Sequence, residues 1–177
     1  MSFDAASELL EFDRHAILAG GVWRLWTGHL VHYSTQHALI DIATTLVAAV
    51  IAAQCFGSRR VLAALALGAP LVSGALLLIA PDCLYYRGAS GLGAMFTVMA
   101  GAGLWQRAGR AARGALALLA LTLAAKIAAE ALGLTSNWSD LPSDVAVAWQ
   151  AHLAGALAGI AATVRAPACA RCITQSM

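Results

Sequence analysis

Between Ser34 and Val164 the sequence is a succession of long apolar stretches broken by short polar turns, and few folds can accommodate that pattern. The stretches are Ser34–Phe56, Val61–Ala80, Ser90–Trp105, Ala115–Leu134 and Val145–Val164. Each approaches or reaches the roughly 17 to 25 residues that a membrane-spanning helix needs. Charged residues make up only 11% of the chain and hydrophobic residues 60%, whereas a soluble domain carries about 25% charged residues. The expected fold is therefore all-α, a polytopic transmembrane helix bundle with five visible spanning helices. Residues 1–33 form an N-terminal segment and outer loop, 34–164 the membrane domain, and 165–177 a short cytoplasmic tail.

The third stretch is short. A helix that starts part-way down the bilayer needs irregular backbone before it, which is tolerated only inside protein or beside a wet cavity. Ser90, at its start, is expected near the floor of such a cavity. Arginines set the orientation: Arg59, Arg60, Arg107, Arg110, Arg113, Arg165 and Arg171 all fall in connections on one side. The other side carries Asp4, Glu8, Glu11, Asp13, Asp82, Asp140 and Asp144, with Arg14, Arg24 and Arg87 as the basic residues. The positive-inside rule places the C-terminus in the cytoplasm and Ser90 toward the periplasm or exterior.

The net charge of +2 is small, and its arginines cluster in the turns, so no nucleic-acid footprint is expected. Residues 1–26 contain no apolar run long enough to span and no signal-peptide pattern. Of the four cysteines, Cys55 falls in a helix, Cys83 is alone outside, and Cys169 and Cys172 form a Cys-x-x-Cys in the tail. That motif outside a thioredoxin-like setting says little about metal or redox chemistry.

Polar side chains within apolar stretches are costly and usually functional. Ser90 is flanked by Gly88 and Gly91, so the chain can turn sharply into a helix whose first N–H groups are free to hold an oxyanion. His152 lies in the last stretch, where Gly155 and Gly159 form a small-xxx-small seam for close helix contact. Both helices run in the same direction, so the pair can meet at one depth, with Ser90 as nucleophile and His152 as general base. No acidic residue is near His152 in sequence, which implies a dyad. Lys126 and Glu130, four apart, suit an ion pair on one helical face, or a part in substrate gating.

Trp23-Arg24 opens a segment with His29, His32 and His37, followed by Asp41. Three histidines this close invite a metal reading, but they do not form one tight ligand set and no His-Glu-x-x-His is present. His37 and Asp41 share a helical face.

Taken in order, Trp23-Arg24, His32…His37…Asp41, Gly88-Ala89-Ser90-Gly91 and Ala151-His152-Leu153-Ala154-Gly155 with Gly159 resemble the rhomboid-family intramembrane serine proteases. The resemblance runs from Trp23 to about Gly159 and is nearest to the rhombosortase branch, bacterial rhomboids that process proteins with a C-terminal Gly-Gly sorting tail. It implies Ser90 and His152 as the catalytic pair, His37 and Asp41 assisting the Ser90 N–H at the oxyanion, and Trp23 and Arg24 in a loop dipping into the outer leaflet. It also implies a multi-pass protein of the bacterial inner membrane. Its partners would be transmembrane protein substrates and the bilayer, with no metal and no cofactor.

Three departures accompany the likeness. Asp41 stands where the family commonly has Asn, so it is expected to be protonated through burial or turned away from the oxyanion. Ala94 replaces a common aromatic residue beside the catalytic imidazole. Five helices are visible where the family core has six. The rival readings are an inactive rhomboid-like escort protein and a small transporter or metal-handling protein using His29, His32 and His37.

Overall fold

The computed structural model describes residues 3–134 and 147–164. Asp140 and Asp144, together with Arg165, Cys169, Arg171 and Cys172, lie outside the described residues. Among those described are eight helices: α1 (Phe3–Leu10), α2 (Arg14–Leu18), α3 (Arg24–Thr27), α4 (Thr35–Phe56), α5 (Ser58–Ile79), α6 (Ser90–Trp105), α7 (Arg110–Ala131) and α8 (Trp149–Thr163). Two short strands, β1 (Phe12–Asp13) and β2 (Tyr85–Tyr86), pair antiparallel with Phe12 opposite Tyr86. The architecture is the all-α polytopic bundle. Three helices, α4, α5 and α7, are each long and apolar enough to cross a membrane on their own. The other two expected spans, α6 and α8, are shorter, at 16 and 15 residues.

α6 is the central helix. It packs chiefly against α8 and α4 and buries Leu92, Met95, Phe96 and Met99 in a core shared with Ala48, Ala52 and Ala69. Its closest neighbour is α8, and the reason is glycine. A Cβ on Gly155 would collide with the Gly91 carbonyl, and one on Gly159 would lie 2.5 Å from the Met95 carbonyl oxygen. Side chains at either place would force the helices apart. By contrast α7 buries none of its residues by overall exposure and lies at the edge of the bundle.

The helix ends are set by local chemistry. The Ser34 hydroxyl accepts the His37 N–H at 3.1 Å and caps α4, a standard N-terminal arrangement. Gly57, at φ +86°, both ends α4 and begins α5. That positive φ is open to glycine and strained for other residues, so it makes a one-residue corner. Pro70 sits inside α5 and has no N–H to give to the carbonyl four residues earlier. That carbonyl, on Ala66, instead accepts the Trp26 indole N–H at 2.9 Å.

The arginines at the Ser90 end of the bundle are held by internal contacts. Arg14 donates to the carbonyls of Leu76, Leu77 and Ala80 at 2.8, 3.1 and 2.7 Å, satisfying the carbonyl end of α5. Arg24 is buried and donates to the carbonyls of Glu8 and Glu11. Arg87 pairs with Glu11 at 2.7 Å. At the other end of the bundle Arg60 reaches the Ala162 carbonyl and Arg107 the Cys55 carbonyl. Arg59, Arg60 and Arg107 therefore gather at the end opposite Ser90, together with the start of α7.

Candidate active site

The site lies where β2 turns into α6. Gly88 takes φ +129°, and a Cβ there would fall 2.9 Å from Asp41 Oδ2 and 3.1 Å from His37 Nε2. Glycine lets the turn adopt this φ and lets α4 press its polar residues against it. Two contacts hold the turn from outside: the Gly88 N–H donates to the Gly28 carbonyl at 3.1 Å, and the Gly88 carbonyl faces His29 Nδ1 at 3.2 Å. Ser90 follows as the first residue of α6, and no side chain caps that helix.

His152 sits in the first turn of α8 and is buried. The residue after Ser90 and the residue before His152 are in close contact, since a Cβ on Gly91 would lie 3.0 Å from the Ala151 carbonyl oxygen. The helix crossing thus brings Ser90 and His152 to neighbouring positions at one end of the bundle. Among the described residues no hydrogen bond joins their side chains. His152 Nδ1 is instead 2.6 Å from Glu130 Oε2, while Lys126 Nζ holds Glu130 Oε1. A dyad was the sequence expectation, and this carboxylate is the main feature it missed. Glu130 is 22 positions from His152, so nothing in local spacing could pair them.

The His37 and Asp41 pair also meets as its spacing implied. Asp41 Oδ2 is 3.2 Å from His37 Nε2 and 3.5 Å from His32 Nε2, with all three side chains under 10% exposed. The carboxylate is turned toward two imidazoles. His37 stacks on Tyr33 and its Nδ1 is buried without a hydrogen-bond partner. His29 does not join this cluster. Its ring is buried against Tyr86, with Nε2 at 3.1 Å from both the Ala69 carbonyl and the Ser73 hydroxyl. Burial lowers its pKa below the usual 6.5, against the opposing pull of the two carbonyls. Among the described residues no group of three or more His, Cys, Asp or Glu is placed to hold a metal ion.

Tyr86 is a second residue that sequence reasoning passed over. Its hydroxyl is fully buried beside the Ser90 side chain and the Gly91 N–H without reaching hydrogen-bond geometry with either. Burial pushes the phenol pKa up, so it stays a neutral O–H donor. Ala94 is buried in the core of α6. Trp23 and Trp26 are half-exposed in the segment before α4, as interfacial anchors would be.

Against this geometry a comparison with protein families matches the Rhomboid domain over residues 19–167. The chain belongs to the rhomboid family. The match takes in every residue of the Ser90 turn, the α6 and α8 crossing and the His32, His37 and Asp41 cluster. No curated protein matches the chain. Membership identifies this rhomboid as a membrane protein of an intramembrane protease family, and the apolar α4, α5 and α7 fit that setting.

Proposed function

We propose that this rhomboid is an active intramembrane serine endopeptidase in which Ser90 is the nucleophile and His152 the general base. The observation that supports this reading is the α6 and α8 crossing at Gly91 and Gly155, which packs the residue after Ser90 against the residue before His152. In the reaction the Ser90 Oγ–H proton passes to His152 Nε2 as Oγ attacks the substrate carbonyl carbon. The tetrahedral intermediate collapses as His152 returns that proton to the leaving amine, breaking the C–N bond. Water, deprotonated by the same imidazole, then hydrolyses the acyl-enzyme.

The negative oxygen of the intermediate would be held by the free N–H groups at the start of α6, with the Tyr86 hydroxyl and His37 as further donors. An ionised Asp41 close to that oxygen would oppose it. Its position between the His32 and His37 imidazoles suits a different role, which is to fix the orientation of the His37 ring.

The arginine-rich end of the bundle faces the cytoplasm in this account, and the Ser90 end faces outward. The substrates are transmembrane proteins, and the rhombosortase likeness points to those with a C-terminal Gly-Gly sorting tail in a bacterial inner membrane. Small residues near the cut favour local unwinding of the substrate helix.

The second reading, an inactive escort, draws on the lack of a Ser90–His152 hydrogen bond. Such bonds are often long before substrate binds, so we favour the enzyme. The test is co-expression with a membrane protein ending in a Gly-Gly segment, an apolar helix and a basic tail. Cleavage by the wild type, lost in both Ser90→Ala and His152→Ala, is expected. Cleavage that survives Ser90→Ala contradicts the reading.

A further inference from the structure

α7 has no packing reason to bury an acid. It lies at the bundle edge with its apolar residues turned outward, yet the Glu130 side chain is only 4% exposed. Lys126, one turn earlier, has a side chain 53% exposed and reaches back to the glutamate. Each oxygen of the carboxylate has its own partner: Oε1 has Lys126 Nζ, and Oε2 has His152 Nδ1 at 2.6 Å. Two fixed partners leave the carboxylate little freedom to turn away.

The atom that Glu130 contacts decides its chemistry. An imidazole whose Nδ1–H is given to a carboxylate has Nε2 unprotonated, and Nε2 is the atom needed to take a proton from a serine. Glu130 therefore selects the productive tautomer. When the ring gains the serine proton, the imidazolium faces a negative charge that the fold has already positioned. The glutamate keeps its own charge and takes no proton.

We propose that Glu130 is a positioning residue for His152, completing a Ser90–His152–Glu130 triad assembled from α6, α8 and α7, with Lys126 fixing the carboxylate's second oxygen. This assignment rests on the protease reading above. It differs from a dyad in making activity depend on α7, whose part in the site is the Lys126 and Glu130 pair.

The charges around His152 are few. α6 carries no Asp, Glu, Lys, Arg or His, and α5 only Arg59 and Arg60 at the far end of the bundle. α7 carries Arg110 and Arg113 at its start, also far from His152, besides Lys126 and Glu130. Lys126 and Glu130 are therefore the charges that set the ring's response to pH from the helices packed on α8. Lys126 Nζ comes within 3.5 Å of His152 Nδ1, so it opposes the imidazolium that Glu130 favours.

The test is the rate at which a fluorophosphonate labels Ser90 as a function of pH in the full chain. Wild type is compared with Glu130→Gln, Glu130→Asp, Lys126→Met, His152→Ala and Ser90→Ala. Glu130→Gln is expected to slow labelling by about 10²- to 10⁴-fold, the scale of wrong-tautomer losses in serine hydrolases. It also moves the acidic limb of the profile to lower pH, because the imidazolium loses its counter-charge. Lys126→Met moves that limb to higher pH. Glu130→Asp recovers part of the rate and the wild-type direction of the limb.

A structural ion pair alone would change the amount of folded protein without moving the limb. Glu130→Gln labelling at the wild-type rate with an unmoved limb, while His152→Ala is inactive, overturns the triad and leaves the dyad standing. If Glu130→Gln fails to accumulate, Glu130→Asp decides: slower labelling of the folded protein supports the triad, and labelling at the wild-type rate overturns it. Absence of Ser90-dependent labelling in wild type overturns the protease reading, and the triad with it.

Discussion

The carbonyl oxygen of Gly91 occupies the space that a side chain on Gly155 would need. This contact fixes how near α6 and α8 approach, and so how near Ser90 lies to His152. A larger residue at position 155 must push the helices apart close to Ser90 and His152, the proposed catalytic pair.

Gly155→Val should therefore abolish Ser90-dependent activity and destabilise the fold by about 1 to 3 kcal/mol or more, the usual scale of overpacking. Gly101→Ala is the control, since a Cβ there meets nothing within 4 Å. Activity assays and thermal unfolding in detergent check both. Wild-type activity in Gly155→Val would mean the crossing does not position the pair.

Trp26 and Pro70 make a second linked pair. Trp26→Phe removes the indole N–H that serves the Ala66 carbonyl and should cost about 1 to 3 kcal/mol. Pro70→Ala restores an N–H four residues after Ala66. In that background Trp26→Phe should cost less. A double-mutant cycle of unfolding free energies measures the difference, and strict additivity would show that the indole contact does not compensate for the proline.

His29 links acidity to the stability of the Ser90 turn. Its pKa is lowered by burial, so the unfolded chain binds a proton near pH 6.5 that the folded chain does not. Stability contributed by the neutral ring is present above pH 6.5 and declines as pH falls below it. The neutral ring has one N–H to give, from Nδ1 to the Gly88 carbonyl or from Nε2 to the Ala69 carbonyl and the Ser73 hydroxyl, since Ser73 gives its own proton to the Leu25 carbonyl. Thermal midpoints measured from pH 8 to pH 5 should fall below pH 6.5 in wild type. They should fall less in His29→Gln, which is less stable throughout. An identical decline in the variant would assign the effect to other groups.

Asp41 supplies a charge test. If it acts by orienting His37, Asp41→Asn should reduce the acylation rate by up to about 10²- to 10³-fold, the scale of one lost oxyanion donor. The fluorophosphonate rate measures it. A faster variant would show that the carboxylate opposes the oxyanion.

Much of this arrangement can be read from sequence where chemistry is local. The start of α6 at Ser90 follows from Gly88 and Ser90 at the head of an apolar run, and both of its boundaries match the expectation. α7 begins at Arg110 rather than at Ala115, because hydropathy marks the apolar run while a helix continues readily through Arg and Ala. α8 begins at Trp149 rather than at Val145, a helix end that hydropathy alone does not resolve. The Lys126 and Glu130 pair is visible as two charges in an apolar stretch, and its i, i+4 spacing gives the ion pair. Its attachment to His152 is a product of tertiary packing. Tyr86 is likewise marked by nothing in its neighbourhood, since only the pairing of β2 with Phe12 buries its ring beside Ser90.

The most direct measurement is intact-protein and peptide mass spectrometry of the purified chain after fluorophosphonate treatment. A single adduct on Ser90 is expected, absent from Ser90→Ala and greatly slowed in His152→Ala. No adduct on folded wild type, or one that forms equally well without His152, would contradict the protease reading.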